Sequence, residues 1–172
     1  VDENIENLEI YNSKNKYKDL FFALSHGVNF GDLKRRKTDE REIIINDLMK
    51  KFPKINYNFL GIANEKPKWN YDFFDELLKT KMALNLSRGK PLKYTSSNRI
   101  AALVGNGIYT FIDQKTCFKD FFNENEVGSY KNLDDLGNKI EKLKSNPNLI
   151  NKYGKAGRDK YFKLFNTKKI SK

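Results

Sequence analysis

Short apolar runs alternate with segments of helical period along most of the chain. Residues 19–24 carry Leu20, Phe21, Phe22 and Ala23 without a polar interruption and end on Ser25, His26 and Gly27, the pattern of a strand buried on both faces. A loop over 28–37 follows. Thr38 and Asp39 then open a helix in which Ile44, Ile45, Leu48, Met49 and Phe52 recur at helical spacing, until Pro53 stops it. Residues 57–62 form the next strand, 64–70 a loop holding Pro67 and Trp69, and 71–79 a short helix with Phe74, Leu77 and Leu78 on one side.

The stretch 82–113 predicts one βαβ unit. Residues 82–86 are an apolar strand bounded by Ser87, Arg88 and Gly89, and 108–112 are its partner. Between them Ser96 or Ser97 caps a helix whose first turn carries Asn98 and Arg99 and whose body is Ile100, Ala101, Ala102, Leu103 and Val104. Free N–H groups, a hydroxyl cap and a guanidinium would then converge, which suits a phosphate. A cation in the first turn opposes the helix dipole at up to ~1 kcal/mol unless an anion answers it. For Arg99 that anion is a bound ligand or, as the second reading, a nearby carboxylate.

Farther on, 118–122 predicts a helical turn and 127–130 a short strand. Asn132 caps a helix with Asp134 and Asp135 in its first turn and Leu133, Leu136, Ile140 and Leu143 on its apolar side. Pro147 separates it from a last helix over 149–165, packed through Ile150, Tyr153, Tyr161 and Phe165. Five strands alternating with helices predict a Rossmann-like α/β domain over 17–166, a parallel sheet with helices on both faces, behind a polar linker at 1–16 and ahead of a basic tail at 167–172. Such sheets bind ligands beyond the carboxyl ends of their strands. The loops to watch are 25–37, 62–70, 87–97 and 113–119.

Composition narrows the chemistry. The 172 residues, 38% hydrophobic and 13% aromatic, are enough for one domain with a core. No apolar run approaches the ~20 residues of a membrane span and no signal peptide opens the chain, so a cytoplasmic protein is expected. Val1 in place of Met predicts a chain that starts inside a longer protein. Cys117 and His26 are each the sole residue of their type, which argues against a disulfide, a zinc cluster or a Ser/His/Asp set, and no metal or cofactor is expected. His26 stands where a neutral imidazole reaches a ligand or makes one loop hydrogen bond. The net charge of +11 raises nucleic acid as a partner. Its lysines are spread through the chain, however, with clusters only at Lys34-Arg35-Arg36-Lys37 and Lys168-Lys169, and the strands read as buried on both faces rather than as an aromatic platform for RNA. A basic surface also suits anionic lipid or phosphorylated substrates. Gly105-Asn106-Gly107 follows a helix and precedes a strand, the reverse of a dinucleotide fingerprint, and reads as a helix-ending turn. The glycines of Gly154-Lys155-Ala156-Gly157-Arg158 read as close helix packing.

The ordered runs Ala83-Leu84-Asn85-Leu86-Ser87-Arg88-Gly89, Ser96-Ser97-Asn98-Arg99-Ile100, Gly105-Asn106-Gly107 and Phe118-Lys119-Asp120-Phe121-Phe122 resemble the C-terminal half of a bacterial glycosyltransferase of the GT-B fold. They are most similar to the group-one enzymes and their CgeB-like relatives. Tyr130 to Leu136 and Gly157 to Phe165 fit the same pattern, so the resemblance spans about residues 18–165. It implies a donor-binding domain for a nucleotide-diphosphate sugar, with the diphosphate near Ser97, Asn98 and Arg99 and with Ser25, His26 and Gly27 approaching from the other side. Ser87, Arg88, Lys93 and Ser96 complete the implied donor site, the 34–37 cluster is a weaker phosphate contact, and Arg99 meets the charge of the departing diphosphate. It further implies a separate N-terminal Rossmann-like domain carrying acceptor contacts and often the base, a glycan or lipid-linked acceptor, cell-envelope polysaccharide as product, and work at the inner face of the plasma membrane.

One departure stands out. Many group-one enzymes hold the ribose with a Glu about five residues before the turn glycine, where this chain has Ala102. Asn98 or Ser96 is left to take the ribose, or the pocket is altered. A basic nucleotide- or RNA-binding module and a non-catalytic scaffold of the same fold are the alternatives.

Overall fold

The apolar runs fold as β1 (Lys18–Ala23), β2 (Tyr57–Leu60), β3 (Thr80–Asn85), β4 (Tyr109–Asp113) and β5 (Gly128–Tyr130), all parallel in one sheet of order β2-β1-β3-β4-β5. The computed structural model describes residues 2, 4–24, 40–63 and 65–166. Leu20 stands opposite both Tyr57 and Met82, so β1 is an interior strand, and the chain reverses its direction of winding between β1 and β3. That reversal is the topological switch point, where doubly wound sheets open a crevice at their carboxyl edge.

Alternation along the strands supplies two cores. Leu20, Phe22, Met82 and Leu84 face one side, where α1 (Glu40–Lys51) and α3 (Leu133–Leu143) bring Ile45, Leu48, Leu136 and Ile140. Phe21 and Ala83 face the other, against Leu77 of α2 (Asn70–Leu78) and against Leu103 and Ile108. With both faces buried, the sheet offers no exposed aromatic platform among the described residues. A third cluster joins Ile100, Val104, Ile112, Phe118 and Phe122 to Tyr161 of α4 (Pro147–Phe165).

Local rules hold at most boundaries. Asn132 Oδ1 accepts the Asp135 N–H, and Asn146 Oδ1 accepts the Leu149 N–H. The last helix therefore starts two residues before the expected 149, with Pro147 in its first turn, where its missing N–H costs nothing. Gly107 has φ +78° and ends the preceding turn, as the Gly-Asn-Gly pattern predicts. Gly154 and Gly157 are close-packing glycines: a Cβ on the first would collide with the Gly107 carbonyl oxygen, and on the second with that of Glu126.

The helix expected after Ser97 is different in kind. Its body, Ala101–Gly105, is a π-helix, and the Ile108 N–H reaches back five residues to the Leu103 carbonyl at 3.2 Å. No side chain caps it. The lead-in segment, for its part, lies against the domain rather than apart from it. Ile10 is fully buried, the Ile10 and Leu8 N–H groups donate to Asn106, and Lys16 donates to Asn151 Oδ1 at 2.6 Å. Among the described residues no helix is long and apolar enough to cross a membrane.

Candidate functional site

The end of β3 organises the site. Asn85, its last residue, is 1% exposed, and a buried amide needs partners. It finds them in the 96–99 turn: Asn85 Nδ2 donates to Ser96 Oγ at 2.7 Å, and Ser97 Oγ donates to Asn85 Oδ1 at 2.7 Å. The Ser96 hydroxyl donates onward to the Ser97 carbonyl at 3.3 Å. One residue past Asn85, the Leu86 carbonyl accepts Arg99 Nη1 at 3.5 Å, and the guanidinium lies over the Phe22 ring of β1, 5.2 Å from its centre. The turn is thus fastened to both strands that flank the switch point.

Two hollows open beside it. The smaller, about 180 Å³, lies at the carboxyl edge of β1 and is walled by Ala23, Leu24, Lys68, Trp69 and Arg99. Lys68 there is paired with Glu76 at 2.9 Å, and Trp69 is 59% exposed. The larger, about 500 Å³, lies on the β4 side and is lined by Tyr94, Ser96, Ser97, Asn98, Phe121 and Phe165, with further apolar residues behind them. Tyr94 sits there in the left-handed region at φ +58°, its N–H donating to the Thr116 carbonyl and its hydroxyl to Asp120 Oδ2 at 2.9 Å.

Residues 35–171, from ahead of α1 to beyond α4, match the family described as glycosyl transferase-like. The chain belongs to the glycosyl transferase-like family. No curated protein and no solved structure matches it. A Rossmann-like glycosyl transferase domain takes its ligand at the carboxyl edge of its sheet by the general rule for open α/β folds, and both hollows lie there.

Within this glycosyl transferase-like domain the expected donor residues do not form one point. Ser96, Ser97 and Asn98 face the larger hollow, whereas Arg99 turns to the smaller one, because successive residues of a turn point in different directions. The two serines are not caps: no side chain accepts from the first N–H groups of the π-helix, and the serine hydroxyls bond instead to Asn85 and, from Ser96, to the Ser97 carbonyl. Two backbone donors at the turn are also committed: the Ile100 and Ala101 N–H groups reach the Ser97 and Asn98 carbonyls at 3.0 and 3.2 Å. Ser87 is half-buried, Arg88 is exposed, and Lys93 turns its ammonium over the Tyr94 ring at 4.7 Å. Ser25, His26, Gly27 and the 34–37 cluster lie outside the described residues.

Asn85, Tyr94, Lys68 and Trp69, which stand beside the two hollows or the turn between them, are not among the expected donor residues, although Lys68, Trp69 and Tyr94 lie in the expected loops 62–70 and 87–97. Asn85 carried a signal of its own, as the one polar residue in Ala83-Leu84-Asn85-Leu86. Ala102 is half-buried, its carbonyl accepts Asn106 Nδ2 at 2.8 Å, and no carboxylate occurs between residues 83 and 112.

Proposed function

We propose that this glycosyl transferase-like domain holds a nucleotide-sugar donor across the carboxyl edges of β1 and β3 and passes the sugar to a hydroxyl of a glycan or lipid-linked acceptor, in the building of cell-envelope polysaccharide. The observation that carries the reading is the position of Arg99. Its guanidinium stands at the switch point of the sheet, oriented by the Phe22 ring beneath it and the Leu86 carbonyl beside it.

Transfer breaks the bond between the anomeric carbon and the diphosphate oxygen, and that oxygen leaves with the bonding pair. A planar guanidinium already held in place stabilises such charge without reorganising as it develops. Arg99 is the residue assigned to this role; Arg88, Lys68 and Lys93 strengthen the field around it. The acceptor hydroxyl must lose a proton, and in this reading the base belongs to a facing Rossmann-like domain. The working place is the cytoplasmic face of the membrane, where a basic surface meets anionic lipid.

The test is a thermal-shift screen of the 172-residue chain against UDP, GDP, CDP and ADP. A ligand at 100 times its dissociation constant stabilises by ~2.7 kcal/mol, so at least one nucleotide should raise the melting temperature by several degrees. Silence from all four would overturn the reading. It would favour a scaffold without donor binding, the second reading to which Ala102 points.

A further inference from the structure

Asn106 stands at the opposite end of the same helical run from Arg99. It is 1% exposed, and each of its polar groups is paired. Toward the lead-in segment, its Oδ1 accepts the Leu8 N–H at 3.1 Å and its carbonyl accepts the Ile10 N–H at 2.8 Å. Toward the helix, its Nδ2 donates to the Ala102 carbonyl at 2.8 Å. In an α-helix that carbonyl would accept the backbone N–H of Asn106, four residues on. Here the side-chain amide takes its place, the Asn106 N–H turns to the Val104 carbonyl, and the Ile108 N–H reaches five residues back to Leu103. The side chain substitutes for the bond that the π register gives up.

That register fixes where Arg99 points. Arg99 and Ile100 are helical and run directly into Ala101–Gly105, while Ile108, 2% exposed in the second core, anchors the far end. With the far end held, exchanging a π register for an α one shifts each preceding residue by one place, which turns it by about 100° and moves it by about 1.5 Å. A guanidinium so displaced leaves both the Phe22 ring and the Leu86 carbonyl. We infer that Asn106 is a positioning residue for Arg99: it holds 101–105 in the π register that keeps the guanidinium over Phe22, and it ties that position to the docking of the lead-in segment. The inference rests on the reading of Arg99 as the diphosphate contact. The docking it invokes is well built. Ile10 is fully buried in one cluster with Leu103 of the π-helix, the Tyr11 ring lies against Gly107 where a Cβ would collide with it, and Arg158 donates to the Glu6 carbonyl at 3.3 Å. By linkage, a ligand that favours the held Arg99 favours the docked lead-in segment by the same factor.

Three measurements on the 172-residue chain test this. In NMR spectra the Phe22 ring separates the Arg99 side-chain N–H resonance from that of the exposed Arg88; Asn106→Ala should bring the two together, whereas Lys81→Met, a destabilising change in β3, should not. In calorimetric titration Asn106→Ala should bind pyrophosphate about three- to tenfold more weakly than wild type, the cost of ordering one long side chain afresh. In the Arg99→Ala background the same change should cost nothing further, the mark of a residue that acts through another. Saturating pyrophosphate should also slow hydrogen exchange at the Leu8 and Ile10 amides of the wild-type chain. An Arg99 resonance unmoved in Asn106→Ala, equal losses in both backgrounds, or exchange at Leu8 and Ile10 indifferent to saturation would each overturn the inference. Should Asn106→Ala fail to fold, the wild-type exchange rates carry the test together with Asn106→Asp, which keeps the acceptor for Leu8 and loses the donor to Ala102. Absence of pyrophosphate binding by the wild-type chain would instead remove Arg99 from the diphosphate, and the Arg99 resonance would then decide by itself whether Asn106 sets its place.

Discussion

The guanidinium of Arg99 lies 5.2 Å from the centre of the Phe22 ring, which is fully buried in β1, an interior strand. A cation at a loop edge is thereby seated on a strand paired on both sides. Charge-assisted hydrogen bonds contribute about 1.5–3 kcal/mol each, so Arg99→Ala should weaken nucleoside diphosphate binding roughly 10- to 100-fold by calorimetry. Arg99→Lys should recover only part of this, because an ammonium neither forks onto a diphosphate nor stacks flat on a ring. Affinity unchanged in Arg99→Ala would remove the residue from the site.

Gly154 and Gly107 meet backbone to backbone, with no room for a side chain between them. Gly154→Ala must push α4 away from the turn that follows the π-helix, and overpacking of this kind costs about 1–3 kcal/mol. The neighbouring Lys155 points outward in an exposed pair with Asp159, so Lys155→Ala should stay within ~0.5 kcal/mol of wild type. Urea unfolding would separate the two, and a Gly154→Ala midpoint equal to that of wild type would contradict the packing.

The order of strands and helices was legible because it follows from solvent. Parallel strands buried on both faces must be apolar throughout, and Asn132 and Pro147 mark helix starts by chemistry that acts within four residues. The 96–99 turn was less legible because its geometry is settled at a distance. Serine next to a helical run reads as a cap, but a buried amide eleven residues upstream competes for the same hydroxyls, and satisfying Asn85 outweighs capping a short turn. An apolar run of five cannot distinguish bonds spaced by four residues from bonds spaced by five, so the π-helix at Ala101–Gly105 left no mark. Residues 4–16 read as a linker because their composition is polar; the buried Ile10 and Glu6, the two bonds to Asn106 and the Lys16 bond to Asn151 hold them down.

Lys81 and Asp19 form a largely buried pair at 2.8 Å, with side chains 19% and 9% exposed. Asp19 also accepts the Asn56 N–H at 3.0 Å. Removing one partner of such a pair leaves an uncompensated charge, at about 3–5 kcal/mol for full burial and less for a lysine that reaches solvent. Lys81→Met should cost about 2–3 kcal/mol, and adding Asp19→Asn should restore part of it. A double variant less stable than Lys81→Met would show that Asp19 acts through another contact.

Stability should rise and then fall across the alkaline range, for two reasons that mutation separates. Burial lowers the Lys16 ammonium to about 8 from an ordinary 10.5, with the neutral Asn151 amide as its hydrogen-bond partner among the described residues. Below about pH 8 the folded chain bears the cost of that desolvated charge. Between about 8 and 10.5 the unfolded chain holds a proton that the folded chain has shed, so stability climbs with pH. The gain is about 1–2 kcal/mol once partial exposure is allowed for. Burial also pushes the phenols of Tyr57, Tyr109 and Tyr130 above their ordinary 10, so above that pH the unfolded chain ionises first and stability is lost. Urea midpoints from pH 7 to 11 should therefore peak near the meeting of the two windows, around pH 10. Lys16→Met should be more stable than wild type at pH 7, lose the climb between 8 and 10, and keep the decline above it. A variant that still climbs would place the alkaline gain elsewhere in the molecule.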